Sequence, residues 1–330
     1  MTRMKGVMRA ARRLSQVIDE VQPDVVVNAH CPLVTWLLPF THRSIPKVVE
    51  IHQSLQGLEV FDRQFMSPVA RVLHLRCIKW IYARYDRFVV LTHGDLSAWG
   101  RPRNARVIPN FANFSQSTVA IDEQSHNASQ STVAVDEQSH IASQSTTATD
   151  ERQIILLARL MPQKRIDLMM RVWALLAKDF PDWHVKVLGE GMSRSELERL
   201  RADLGIEQTF LMPGEVRDVR EELSKSDIFC LTSEYEGFGI VVLEAQQMGI
   251  PVVAFRYVGV DDLIEDGQDG YVIPFGNVEA FAQRMRELMS SAEERQRLSD
   301  NGRIAVRKFD KENVMQRWVT LFAEIKRQRD

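Results

Sequence analysis

Glu236 and Glu244 lie eight positions apart in the stretch LTSEYEGFGIVVLEAQQMGIPVVAF, residues 231–255. A carboxylate accepts two hydroxyl protons at once, so this pair suits one hydroxyl pair on a sugar and another on a ribose. Taken alone, Glu244 reads equally well as an exposed helical residue. Gly237 and Gly239 let backbone N–H groups approach a ligand closely, and a helix opening at Ile240 presents its positive end to phosphate. A second run, ILLARLMPQKRID at 155–167, carries Arg159 and, five residues on, Lys164. Two cations on one loop can clamp a diphosphate and stabilise it as a leaving group, although by themselves they are as readily a solvated basic loop. Gly189-Glu190-Gly191 is either a third ligand-side loop or a plain tight turn.

These residues need elements that carry them to one edge. Residues 227–232 read as a strand, 233–239 as a turn rich in Gly and acid, and 240–248 as a helix closed by Gly249 and Pro251. Such a turn at the carboxyl end of a parallel strand is where open α/β sheets bind ligands. Strand-like runs at 154–158, 184–189, 209–212, 227–232, 251–254 and 270–273 alternate with helical periodicity, which predicts a complete parallel sheet. Upstream, 24–28, 47–51, 87–91 and 106–108 predict a second, smaller one. Ser193 with Glu196 has the spacing of a capping box. Met169, Val172, Trp173 and Leu176 have the spacing of a buried helical face, and 311–327 that of a last amphipathic helix.

Between the two groups of strands the chain repeats itself every 14 residues: SQSTVAIDEQSHNA, SQSTVAVDEQSHIA, then the partial SQSTTATDERQ. The repeat has no Gly, Pro, Phe, Tyr or Trp and too few apolar residues to bury a core, so it reads as a solvated linker rather than a solenoid. The expected organisation is a first Rossmann-like domain at 1–114, the linker at 115–150 and a second Rossmann-like domain at 151–330, with the last helix returning to the first.

Taken together, these motifs resemble glycosyltransferase family 4. That family's C-terminal domain carries an R-x4-K loop, a GxG after the next strand, and the pattern S-x2-EGFG-x4-EA-x3-G-x-PVVA. The match runs through 152–280, including Gly259 with Asp261 and Asp262 and the DGQDGYVIP turn at 266–274. The resemblance implies an α/β GT-B fold, two Rossmann-like domains facing across a cleft, and transfer of a hexosyl unit from a nucleotide diphosphate sugar, UDP-linked, with retention. It implies that Arg159 and Lys164 hold the donor diphosphate, Glu236 the hydroxyls of the transferred sugar and Glu244 the ribose. Gly189, Gly191, Gly237, Phe238, Gly239 and Ile240 would complete the donor site, with no metal and no cofactor.

The first half fits the family through PDVVVNAH at 23–30, IPKVVEIHQS at 45–54, RFVVLTHGDLSAW at 87–99 and RVIPNFANF at 106–114. His52 matches a histidine that faces the acceptor, a position suited to a proton shuttle or a hydroxyl ligand; His30, His42, His74 and His93 are weaker candidates. The family's opening strand and Gly-rich loop have no counterpart before Met1, so the first domain is expected to be incomplete. Because a fold does not fix a reaction, a sugar-nucleotide epimerase, a phosphorylase or a non-catalytic nucleotide-sugar-binding chain stays open.

Composition narrows the rest. With 330 residues, 45% of them hydrophobic, the chain has material for two cores. Residues 1–114 hold 16 Lys and Arg against 8 Asp and Glu, while the remainder holds 26 against 36, so the halves carry +8 and −10. Lys5, Arg9, Arg12 and Arg13 share one helical face, and Arg76, Lys79 and Arg84 lie near Trp80 and Leu73. Such faces suit an anionic membrane surface beside a saccharide or lipid-linked acceptor, although ordinary solvated helices read the same way. No run approaches the roughly 18 apolar residues of a membrane span, and no signal pattern opens the chain, so a cytoplasmic enzyme is expected, without nucleic acid as a partner. Cys31, Cys77 and Cys230 show no CxxC spacing and are expected to be reduced core residues.

Overall fold

The computed structural model describes residues 2–29, 31–112 and 152–328, so the 14-residue repeat and His30 lie outside the described residues. In the first half, α1 (Thr2–Val21) leads to β1 (Val26–Asn28), α2 (Pro32–Leu37) and β2 (Lys47–Glu50). Two successive helices, α3 (Leu55–Phe65) and α4 (Pro68–Tyr82), precede β3 (Arg87–Val90), and α5 (His93–Ala98) precedes β4 (Ala105–Val107). The strands pair in parallel in the order β1-β2-β3-β4. All of β3 and the first three residues of β2 are buried, as a parallel sheet covered on both faces requires. Ser54 and Ser67 start α3 and α4 by accepting the N–H groups of Gly57 and Ala70.

In the second half β5 (Arg152–Leu157), α6 (Ile166–Ala174), β6 (Trp183–Leu188), α7 (Arg194–Asp203), β7 (Phe210–Gly214) and α8 (Val219–Ser224) wind outward. The chain then returns to the other side of β5 with β8 (Ile228–Leu231), α9 (Ile240–Met248), β9 (Val252–Phe255), α10 (Val260–Leu263) and β10 (Gly270–Ile273). The resulting parallel order is β10-β9-β8-β5-β6-β7, which reverses direction between β5 and β8 and opens a crevice beyond their carboxyl ends. Helices α11 (Val278–Ser290) and α12 (Ala292–Ala305) follow, and α11 packs with α6 on one face. Met169, Val172, Trp173 and Leu176 are fully buried in that layer, as their spacing predicts. All ten strands lie within two residues of the runs read from the sequence.

The last helix, α13 (Lys311–Arg327), leaves the second sheet and packs on the first. Val314, Leu321 and Ile325 bury themselves against Val48, Val89 and Ile108. Gln328 accepts from Arg87 Nη2 at 2.8 Å, and Glu324 lies 3.3 Å from Arg106 Nη2. No helix among the described residues is long and apolar enough to cross a membrane.

Two expectations fail. The capping box does not form, because Ser193 adopts helical angles, makes no side-chain cap and donates its N–H to the Leu160 carbonyl at 2.9 Å. Packing of this turn against the 158–160 segment overrides the local signal. Of the three cysteines only Cys230 is buried; Cys31, the N-cap of α2, and Cys77, on α4, are exposed.

Asp95, in the first turn of α5, is 3% exposed, and its Oδ2 accepts the Thr92 hydroxyl at 2.7 Å while Oδ1 is buried without a partner. Burial pushes its carboxyl up to about 7, against the Thr92 bond and with help from the Asp262 charge. A carboxyl raised in the fold from an ordinary value of about 4 stabilises most below that value and loses its contribution as pH climbs through about 7. Between about pH 5 and about pH 8, thermal melts of the wild type should fall by about 3–5 °C more than those of Asp95→Asn. Parallel profiles for the two proteins would refute this.

Candidate active site

Arg159 and Lys164 emerge from β5 on a short loop. Leu160 is fully buried and anchors it, and a single 3-10 turn, Pro162–Lys164, swings the lysine over the crevice. The following Arg165 adopts left-handed angles (φ 47°) and is held there by both oxygens of Asp167, at 2.9 and 3.0 Å. Two bonds tie this loop to the one leaving β8: the Thr232 hydroxyl donates to the Lys164 carbonyl, and the Glu234 N–H to the Gln163 carbonyl, each at 2.8 Å. The ends of β5 and β8 are thereby fixed relative to each other.

Across this junction the Lys164 ammonium donates to both oxygens of Glu236, at 2.8 and 2.9 Å, and the Ser233 hydroxyl donates to Oε1 at 2.5 Å. Both partners are mostly sheltered, with side-chain exposures of 19% and 12%. Arg159 is half-buried and forms no hydrogen bond or ion pair through its guanidinium among the described residues. Glu244, on α9, makes no side-chain hydrogen bond or ion pair among the described residues, and burial pushes its carboxyl up. The structure therefore brings Lys164 and Glu236 into contact, while Arg159 lies on the same loop as Lys164 and Glu244 on the helix that follows Glu236.

The glycines acquire reasons the sequence does not disclose. Gly239 takes φ +96° to start α9, where a side chain would also strike the Tyr257 hydroxyl. At Gly237 a Cβ would lie 2.0 Å from the carbonyl oxygen of His52, which comes from the other half of the molecule. Gly189 and Gly191 have no room for a Cβ because the carbonyls of Ala158 and Leu160 lie against them, so this loop's first task is to support the segment carrying Arg159. Phe238 is buried and packs edge-on against Phe309, and its carbonyl accepts the Tyr257 hydroxyl. Ile240 is 40% exposed at the start of α9.

His52 lies at the carboxyl end of β2, its Nε2 3.5 Å from Glu50 Oε2. Beside it Gln56 Nε2 donates to the Glu234 carbonyl at 3.3 Å, and Gly57 lies against the Tyr235 ring. The first half thus faces the Glu236 loop directly. His42 and His74 serve Asp19 and Asp62 instead, at 3.0 and 2.8 Å. Among the described residues no three His, Cys, Asp or Glu side chains gather as metal ligands would. Thr232, Ser233 and Gln163 were given no role from the sequence, although all three lie within the quoted stretches and Ser233 opens the S-x2-EGFG pattern.

Two parallel α/β halves facing across a cleft, with a cation–carboxylate crevice at the reversal point of the second sheet, are the architecture of GT-B glycosyltransferases. The chain belongs to that class's large family of group 1 glycosyl transferases, whose model matches residues 137–305, and the Glycosyltransferase Family 4 model matches residues 2–116. A glycosyltransferase of Haemophilus influenzae is 31% identical over 168 residues, covering 51% of this chain and 48% of that protein. The poly(ribitol-phosphate) alpha-N-acetylglucosaminyltransferase of Staphylococcus aureus is 29% identical over 172 residues, 50% of this chain and 34% of its own length. The chain therefore spans about half or less of these relatives. The crystal structure of Anabaena HepE in complex with UDP superposes with a TM-score of 0.74 at 18% identity, over 95% of this chain and 82% of that one.

Proposed function

We propose that this chain is a retaining hexosyltransferase that takes its sugar from a UDP-linked donor and delivers it to a hydroxyl of a saccharide or lipid-linked acceptor. The observation that carries this is the Lys164–Glu236 pair joining the loops after β5 and β8, with the His52 carbonyl of the other half against Gly237. Arg159 and Lys164 would meet the diphosphate, Glu236 the sugar hydroxyls and Glu244 the ribose. The bond from the anomeric carbon to the phosphate oxygen breaks while the acceptor oxygen bonds on the same face, and the acceptor proton leaves with the departing phosphate. Charge grows on that phosphate, where fixed cations help most. UDP in the HepE crystal structure and the alpha-linked product in the name of the staphylococcal relative support donor and stereochemistry by kinship. The test is UDP release from a panel of UDP-hexoses, with the anomeric configuration of the product read by NMR. UDP binding without transfer or hydrolysis would favour a non-catalytic binding protein.

The acceptor is proposed to lie at an anionic membrane surface. On α4, Val69, Val72, Leu73 and Trp80 are 71%, 53%, 55% and 49% exposed on one face, and Phe40 comes within 6.1 Å of Trp80. Arg76 lies within this strip and Lys79 beside it, Arg84 stacks on Trp80, and α4 contains no acid. Arg9, Arg12 and Arg13 are exposed on α1; the side chain of Lys5 lies outside the described ones. An apolar strip rimmed by cations fits the interface of an acidic bilayer. Vesicles with about 30% anionic lipid should co-sediment the wild type and lose most of it on Leu73→Ser with Trp80→Ser. Equal sedimentation of both would remove this surface.

A further inference from the structure

The two halves meet at a second place, on the turn after β3. Asp262, on α10, accepts the backbone N–H of His93 at 3.1 Å and of Gly94 at 3.3 Å, and its Oδ1 lies 2.6 Å from His93 Nδ1. One carboxylate of the donor half thus gathers three polar groups of the other half. The backbones touch as well: a Cβ at Gly94 would fall 2.6 Å from the Gly259 nitrogen, and one at Gly259 would fall 2.6 Å from the Thr92 hydroxyl. Such close approach exists only because both positions are glycine.

This contact is connected to the candidate site. Gly259 follows Tyr257 by two residues, and the buried Tyr257 hydroxyl donates to the Phe238 carbonyl at 3.1 Å. Phe238 sits between Gly237, which meets His52, and Gly239, which starts α9. The neighbouring Asp261 makes a useful contrast. It carries the same charge on the same turn, yet pairs within its own half with Arg256 at 2.6 Å and is 66% exposed.

We propose that Asp262 is a positioning residue that latches the two halves together, setting the separation at which His52 faces the Glu236 loop without itself touching donor or acceptor. What closure accomplishes rests on the transferase reading, but the latch is read from the contacts alone. Separating the halves must release both N–H groups and the histidine ring from one carboxylate. The loss is felt across the seam, because the neighbouring contacts of Gln56 with the Glu234 carbonyl and of Gly237 with the His52 carbonyl are made by uncharged groups.

Hydrogen exchange on the full chain tests this with Asp262→Asn, Gly94→Ala and Asp261→Asn. Asp262→Asn weakens the bonds, whereas Gly94→Ala pries the same seam apart with its charges intact. Both should speed exchange by about tenfold at 92–98 and also at 52–58 and 233–239, with Asp261→Asn matching the wild type. Turnover of a UDP-hexose should fall by about tenfold while UDP affinity by calorimetry changes less than about threefold, since the proposed donor contacts lie in one half. Acceleration confined to 93–95, or equal behaviour of the two aspartate variants, would reduce Asp262 to a local tie and overturn the proposal. A wild type that binds no UDP would count against the transferase reading and leave the exchange result standing.

Discussion

Arg159→Ala is expected to cut turnover by about 10²-fold or more at saturating donor while leaving the melting temperature within about 2 °C of the wild type. The asymmetry follows from what the guanidinium touches. It has no hydrogen bond or ion pair to the protein among the described residues, so removing it takes nothing from the fold. Lys164→Ala should cost a similar factor in turnover and also lower the melting temperature, by about 3–6 °C, because a sheltered Glu236 carboxylate loses the ammonium bound to both its oxygens. Steady-state kinetics and melts on the two variants check both halves of the statement. Near-normal turnover in Arg159→Ala would end its assignment to the leaving diphosphate. An unchanged melt in Lys164→Ala would show that the ion pair does little for stability.

The second large effect concerns a methyl group. In Gly237→Ala the new Cβ would sit 2.0 Å from the His52 carbonyl oxygen, and both sides of that contact are backbone. Neither can rotate away, so relief requires the halves to move apart by about an ångström, a misplacement that costs on the order of 10²-fold in rate when reacting groups face each other across the gap. Gly57→Ala meets the ring of Tyr235 at 2.9 Å, a side chain that can yield, and turnover should stay within about fivefold. Ranking the two variants by kcat is the measurement. Equal rates in Gly237→Ala and wild type would mean that closure of this seam is irrelevant to turnover.

Much of this was legible in the chain. Ten apolar runs alternating with helical periodicity fix ten parallel strands to within two residues, because period and turn residues are local properties. Lys164 and Glu236, which the structure brings into contact, were also singled out, since R-x4-K and E-x7-E are spacings on single loops and helices. The capping box at Ser193 was legible and wrong: a local hydrogen bond lost to the packing of that turn against Leu160. The cysteines misled for a similar reason, because a residue type's usual burial does not say that Cys31 caps α2 at the surface or that Cys77 lies on the outer face of α4.

By itself the sequence determined the elements, their parallel class and the kind of charge each loop carries, all consequences of spacings within about ten residues. Only the tertiary structure decided that Lys164 binds Glu236 at a sequence separation of 72, that Gly237 is a glycine because His52 is behind it, and that Asp262 reaches His93 and Gly94. The return of α13 to the first sheet was expected, but which of its residues meet Val48, Val89 and Ile108 was not. Such pairings depend on how two independently wound sheets come to face each other, which no periodicity along the chain encodes.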